Sequence, residues 1–179
     1  MLFHFVILSG ESEDFVREIN IDSNSTFLDL HEVIQESVDY DTSQIASFFI
    51  SNENWDKGSE ITLLKMDNNT KADELIMDQI KLVDYLKEPK ARLIYQFDFF
   101  SNRGFFIELL SVSDGKSLVK PAIVKAEGII PEQILLDDVG LDEISSLLGL
   151  TDDDEDEFKD EFNDVRLDDI DPDSFEEYF

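Results

Sequence analysis

Leu93-Ile94-Tyr95-Gln96-Phe97-Asp98-Phe99-Phe100-Ser101-Asn102-Arg103-Gly104-Phe105-Phe106-Ile107-Glu108 is the stretch on which the fold turns. Leu93, Tyr95, Phe97 and Phe99 recur with a period of two and predict one apolar strand face, with Arg92, Gln96 and Asp98 on the other. Ser101-Asn102-Arg103-Gly104 reads as the turn, with Gly104 suited to a left-handed position. Phe105 to Val112 returns as the second strand. Aromatic and branched residues facing each other across such a pair stabilise it, so hairpin 92–112 is expected at the centre of a sheet. Phe97 is then a core residue, and Phe97→Ala is expected to cost about 3–5 kcal/mol. If Gly104 is left-handed, Gly104→Val destabilises more than Gly58→Val.

Working outward, Leu2 to Ile7 reads as a mostly buried strand. Phe15 to Ile21 reads as a second, with Arg17 pointing outward. Thr26 and Asp29 form a capping-box pair. Phe27, Leu30, His31, Ile34 and Val38 then line one helical face. Ala46–Ile50 and Ile61–Leu64 are strand candidates, separated by a polar stretch that holds Trp55. Ile76 to Leu86 reads as a short helix ended by Pro89, Pro121 to Pro131 as irregular, and Ile134 to Leu150 as helical in part. This order predicts an α+β fold: a mixed or antiparallel sheet with helices packed on one face, followed by an acidic C-terminal tail.

The net charge is −29 across 179 residues. Residues 151–179 hold 15 acidic and 2 basic residues, leaving 28 and 12 in residues 1–150. Two parts are therefore expected: a body over 1–150 and an acidic amphipathic tail over 151–179. In the tail, Phe158, Phe162 and Val165 share a helical face and Thr151 can cap it, which predicts a docked helix over 152–165. A field of this sign repels phosphate backbones and anionic lipid, so direct nucleic-acid and membrane binding are not expected. There is no cysteine, which excludes disulfides and thiolate chemistry and fits a reducing, cytoplasmic setting. The apolar start lacks a basic leader and is read as a strand, and no apolar run approaches the ~20 residues of a membrane span.

Thr26-Phe27-Leu28-Asp29-Leu30-His31-Glu32-Val33-Ile34-Gln35 and the strand Tyr95-Gln96-Phe97-Asp98-Phe99 resemble two motifs of the plasmid pRiA4b ORF-three-like family. Ala126-Glu127-Gly128-Ile129-Ile130-Pro131 and Asp171-Pro172-Asp173-Ser174-Phe175 are looser matches to later family segments. Where the family pattern has Gly, Asp, Trp and His after its Asp-Phe pair, this chain has Phe100, Ser101, Arg103 and Phe105. The resemblance implies the fold. It also implies that any site built from that Asp and His is missing here.

Three side chains remain as candidate chemistry: His31, Asp98 and Glu127. His31 is the only polar residue on its helix stripe, either a core histidine with one nitrogen satisfied or a base. Asp98 is either a solvated or turn-capping carboxylate or half of an acid pair. An EF-hand loop from Asp152 needs Gly and Glu where Glu157 and Asn163 stand, so that reading fails. No cofactor motif is present, and no metal is expected to bind tightly to the body. The function expected first is a non-catalytic module that binds a protein partner, one of basic character suiting the charge. The alternatives are a degenerate or metal-assisted hydrolase or transferase using His31 and Asp98, and an acidic mimic of nucleic acid. The enzyme reading requires His31, Asp98 and Glu127 to converge in one pocket.

Overall fold

The computed structural model describes residues 1–65 and 74–135. Met1–Ile134 form one compact unit. The division at residue 150, the helical stretch from 136 to 150 and the tail helix over 152–165 lie outside the described residues.

Hairpin 92–112 organises everything else. β6 (Arg92–Asp98) and β7 (Arg103–Ser113) pair antiparallel with Tyr95 opposite Phe105 and Leu93 opposite Ile107. Around them run β1 (Leu2–Ser9), β2 (Val16–Asp22), β3 (Ser47–Ser51), β4 (Lys57–Thr62), β5 (Leu75–Ile76) and β8 (Ala122–Glu127). The sheet order is β5-β4-β3-β6-β7-β1-β2-β8, which places the hairpin at its middle. Among the described residues only the β4–β5 pairing is parallel, so the sheet is mixed. With α1 (Phe27–Val38) and α2 (Leu82–Tyr85) as the helices among the described residues, the fold is a sheet-dominated α+β.

α1 starts where its side chains satisfy its own orphan donors. Asp29 N–H donates to Thr26 Oγ1 at 3.1 Å, and Thr26 N–H to Asp29 Oδ2 at 2.7 Å. It ends at Asp39, which adopts a left-handed φ of 52° and returns its N–H to the Gln35 carbonyl. Its apolar face packs on the sheet through Phe27 against Phe48 at 5.5 Å between ring centroids. The centre of the core is aromatic. Phe105 is fully buried and lies 4.9 Å from Phe15, 4.7 Å from Phe97 and 6.3 Å from Tyr95.

Several local expectations are corrected. The helix expected over 76–86 shrinks to the four residues of α2, because its neighbours serve other elements: Leu75 and Ile76 pair with β4, and Met77 N–H donates to the Thr62 carbonyl. Leu82 and Val83 N–H donate to Ser25 and Ser23 carbonyls ahead of α1. The stretch between Pro121 and Pro131 is not irregular; it carries β8, with both prolines outside the ladder. Arg17 does not point outward. It is 4% exposed and spends its guanidinium on carbonyls of Ser37, Val16 and Glu127. The two faces of β6 are both buried, so Ile94, Gln96 and Asp98 lie inside, while Phe99 is past the strand end and exposed.

Gly104 is corrected in its reason. The left-handed residue of the turn is Asn102, at φ 50°, and Gly104 is not among the positive-φ residues. Gly104 is needed for close approach: a Cβ there would lie 2.7 Å from the Tyr95 carbonyl oxygen. Gly58 is in the same position, with the Ile50 oxygen 2.8 Å from its would-be Cβ. Gly104→Ala and Gly58→Ala are therefore expected to destabilise alike, each by about 1–3 kcal/mol as overpacking does. Denaturant melts of the two variants check this; a large difference between them would show that one strand shifts freely.

Candidate functional site

His31, on the buried stripe of α1, is held by β6. Tyr95 is fully buried on that strand, and its hydroxyl sits 2.9 Å from His31 Nδ1 and 2.7 Å from Gln35 Nε2. Gln35 donates from that nitrogen, and the hydroxyl oxygen keeps a second lone pair, so the direction of its bond to Nδ1 follows the imidazole tautomer. Either tautomer is the neutral imidazole. Burial holds the His31 pKa below its ordinary value, which favours this neutral form, and burial also raises the Tyr95 phenol.

The His31 shift makes stability depend on pH. The folded-state pKa lies below the unfolded one, so the unfolded chain takes up a proton first as pH falls. Stability is therefore expected to be full above the unfolded pKa of about 6.5 and to decline below it, by at most about 1.4 kcal/mol per pH unit. Urea melts of wild type and His31→Gln between pH 7.5 and pH 5 (roughly the span over which His titrates) check it. The two declines should differ, the wild type losing more; identical slopes would remove His31 as the titrating group.

A cleft of about 530 Å³ opens along this part of α1. Leu28, Tyr40 and Leu63 contribute apolar wall, and His31 and Gln35 contribute polar wall. Glu32, Glu36 and Asp39 also line it and are exposed. Gln35 is 2% exposed, and its amide oxygen is the one buried side-chain oxygen without a hydrogen-bond partner among the described residues.

Asp98 belongs to a different network. Its Oδ1 accepts from Phe100 and Ser101 N–H at 3.0 and 3.1 Å, capping the hairpin turn. Its Oδ2 faces Arg103 Nη1 at 3.3 Å. Arg103 in turn clasps Glu11 with Nε at 2.9 Å and Nη2 at 2.6 Å, and donates to the Glu132 carbonyl. Hydrogen bonding to Glu11, the largest influence, raises the Arg103 pKa. Asp98 is thus not solvated: at 7% exposure it is a buried partner of a cation.

Glu127 lies on β8 and pairs with Lys125 at 3.1 Å. None of His31, Asp98 and Glu127 bonds to another, and the cleft that His31 lines contains neither Asp98 nor Glu127. Among the described residues no three His, Cys, Asp or Glu side chains are grouped to hold a metal. His4 pairs with Glu18 at 2.9 Å rather than with His31.

The opposite sheet face carries a feature that patterning did not reveal. Phe106 alternates with Phe105 and so faces away from α1. Trp55 folds back from the β3–β4 loop to meet Phe106 edge-on at 5.0 Å, and the Arg92 guanidinium lies 4.7 Å over the indole. Glu108 fixes Arg92 at 2.8 Å. Trp55 holds φ at 65°, which is unusual for so bulky a residue. Asn52 imposes it: its carbonyl takes Trp55 N–H, and its Oδ1 takes the N–H groups of Asn54 and Asp56.

A family model described as plasmid pRiA4b ORF-3-like protein matches residues 4–178, nearly the whole chain. Among curated proteins no relative matches. Among solved structures, a crystal structure of a protein of unknown function, MM3350 from Methanosarcina mazei Go1, is similar with a TM-score of 0.51 and 22% identity. The match covers 96% of this chain and 92% of that one and concerns the fold alone. No helix among the described residues is long and apolar enough to cross a membrane.

Proposed function

We propose, for a chain that belongs to the plasmid pRiA4b ORF-3-like family, a non-catalytic module that docks a protein partner on the half-buried sheet face around Trp55. The observation that carries this reading is the strained Trp55, propped over Phe106 and under Arg92. Backbone strain persists only where surrounding bonds over-determine it, and it clusters at sites of use. Trp and Arg are the residues that most often anchor protein interfaces, and here they are preorganised side by side. The absence of chemistry is supported by commitment of the polar groups. His31 is tied to Tyr95, and Asp98 to Arg103 and its own turn.

Capture with the full chain as bait tests the reading. Wild type and Trp55→Ala are compared, and the purified partner is then titrated by calorimetry. Loss of a central aromatic anchor is expected to weaken binding at least ~30-fold, or about 2 kcal/mol. Equal affinity for both baits would sink the Trp55 platform. A hydrolytic or transfer activity that disappears in a stably folded Asp98→Asn would sink the non-catalytic reading.

A further inference from the structure

We infer that the α1 cleft is a binding site for an alkyl cation ending in N–H donors, such as a lysine or arginine side chain or a free diamine. Two independent observations meet there. The first is the orphaned Gln35 amide oxygen, an acceptor buried without a donor. Leaving such a group unpaired is unfavourable, and a ligand that supplies the donor recovers the loss. The Gln35 nitrogen donates to the Tyr95 hydroxyl at 2.7 Å, which leaves the oxygen outside that bond. The second is the sign of the surroundings. Glu32, Glu36 and Asp39 are exposed along the cleft and form no ion pair among the described residues.

The remaining lining suits the stem of such a ligand. Leu28, Leu63 and the Tyr40 ring offer apolar surface for methylenes, and the carboxylates beside Gln35 suit the charged head. The size, about 530 Å³, lies within the usual range of side-chain and small-ligand pockets. An anionic ligand meets three carboxylates here. The cleft borders the Tyr95 side of the sheet, whereas Trp55 packs on the Phe106 side, so the two sites are separable.

The experiment is a titration of the full chain followed by NMR of the Gln35 side-chain amide and the His31 ring. The probes are Nα-acetyl-lysine methylamide, Nα-acetyl-arginine methylamide and free cadaverine, with Nα-acetyl-norleucine methylamide as the uncharged control. Saturable shifts at Gln35 and His31 with at least one cationic probe, at physiological ionic strength and absent with norleucine, are expected. The two acetylated probes against cadaverine tell a peptide-borne cation from a free amine. Gln35→Met should weaken binding roughly tenfold, and the exposed pair Glu32→Gln/Glu36→Gln several-fold with a reduced salt dependence. Should Gln35→Met fail to fold, the surface pair decides alone. Trp55→Ala should leave the titration unchanged, which separates a failure here from a failure of the protein-docking platform. Shifts that spread over the whole acidic surface and vanish at physiological salt, equal response to norleucine, or unchanged binding in the folded variants each overturn the inference.

Discussion

Replacing Arg103 with methionine is expected to destabilise the protein by about 3–5 kcal/mol, the effect of stripping the partner from a buried ion pair. The Arg103 side chain is 8% exposed and Asp98 6%. Methionine fills much of the volume and keeps contact with Phe97, over which the guanidinium lies at 5.3 Å. It leaves Asp98 Oδ2 buried without a cation and frees Glu11 and the Glu132 carbonyl. Glu11→Gln removes only the outer partner, 40% exposed, and should cost at most about 1 kcal/mol. Urea denaturation of the two variants measures the contrast. A methionine variant within about 1 kcal/mol of wild type would mean that water reaches Asp98.

Phe105→Ala should destabilise by a similar amount, about 3–5 kcal/mol, but by a different mechanism. Four rings surround Phe105, and none can relax into the space without breaking its own contacts: Phe15, Tyr40, Tyr95 and Phe97 are all buried. Phe106→Ala, one residue along, faces the half-open side and should cost clearly less. Equal losses in thermal or chemical melts would mean that the register of β7 is wrong by one.

What could be read in advance was whatever is encoded locally. The hairpin shows in the alternation from Leu93 to Ile107, and its central place follows from burying both flanks. The capping box needs only Thr26 and Asp29. β8 was invisible because Ile123 and Lys125 alternate too briefly; what makes it a strand is the free edge of β2. Arg17 reads as outward and Asp98 as solvated or turn-capping; the cap is present, but the buried partners of both side chains are not legible in sequence. Arg17 reaches Glu127, and Asp98 is neutralised through Arg103, which also binds Glu11. The His31–Tyr95–Gln35 chain depends on α1 crossing β6, a tertiary fact. The orphaned Gln35 oxygen has no signature in sequence at all.

The pairing of β1 with β7 bears on how a ribosome must deliver this chain. Leu2 lies opposite Ser113 and Ser9 opposite Phe105, so the first strand made waits for one of the last before the middle of the sheet can close. The β1–β2 hairpin can form early, since its strands are adjacent in sequence. Until β7 emerges, however, β1 and β6 each present an unpaired apolar edge, the kind of surface on which nascent strands stick to one another. Any nascent chain halted short of Arg103 holds both edges open at once. The excess of acidic over basic residues in the stretch between β1 and β6 then acts during synthesis, by keeping neighbouring nascent chains apart through like-charge repulsion.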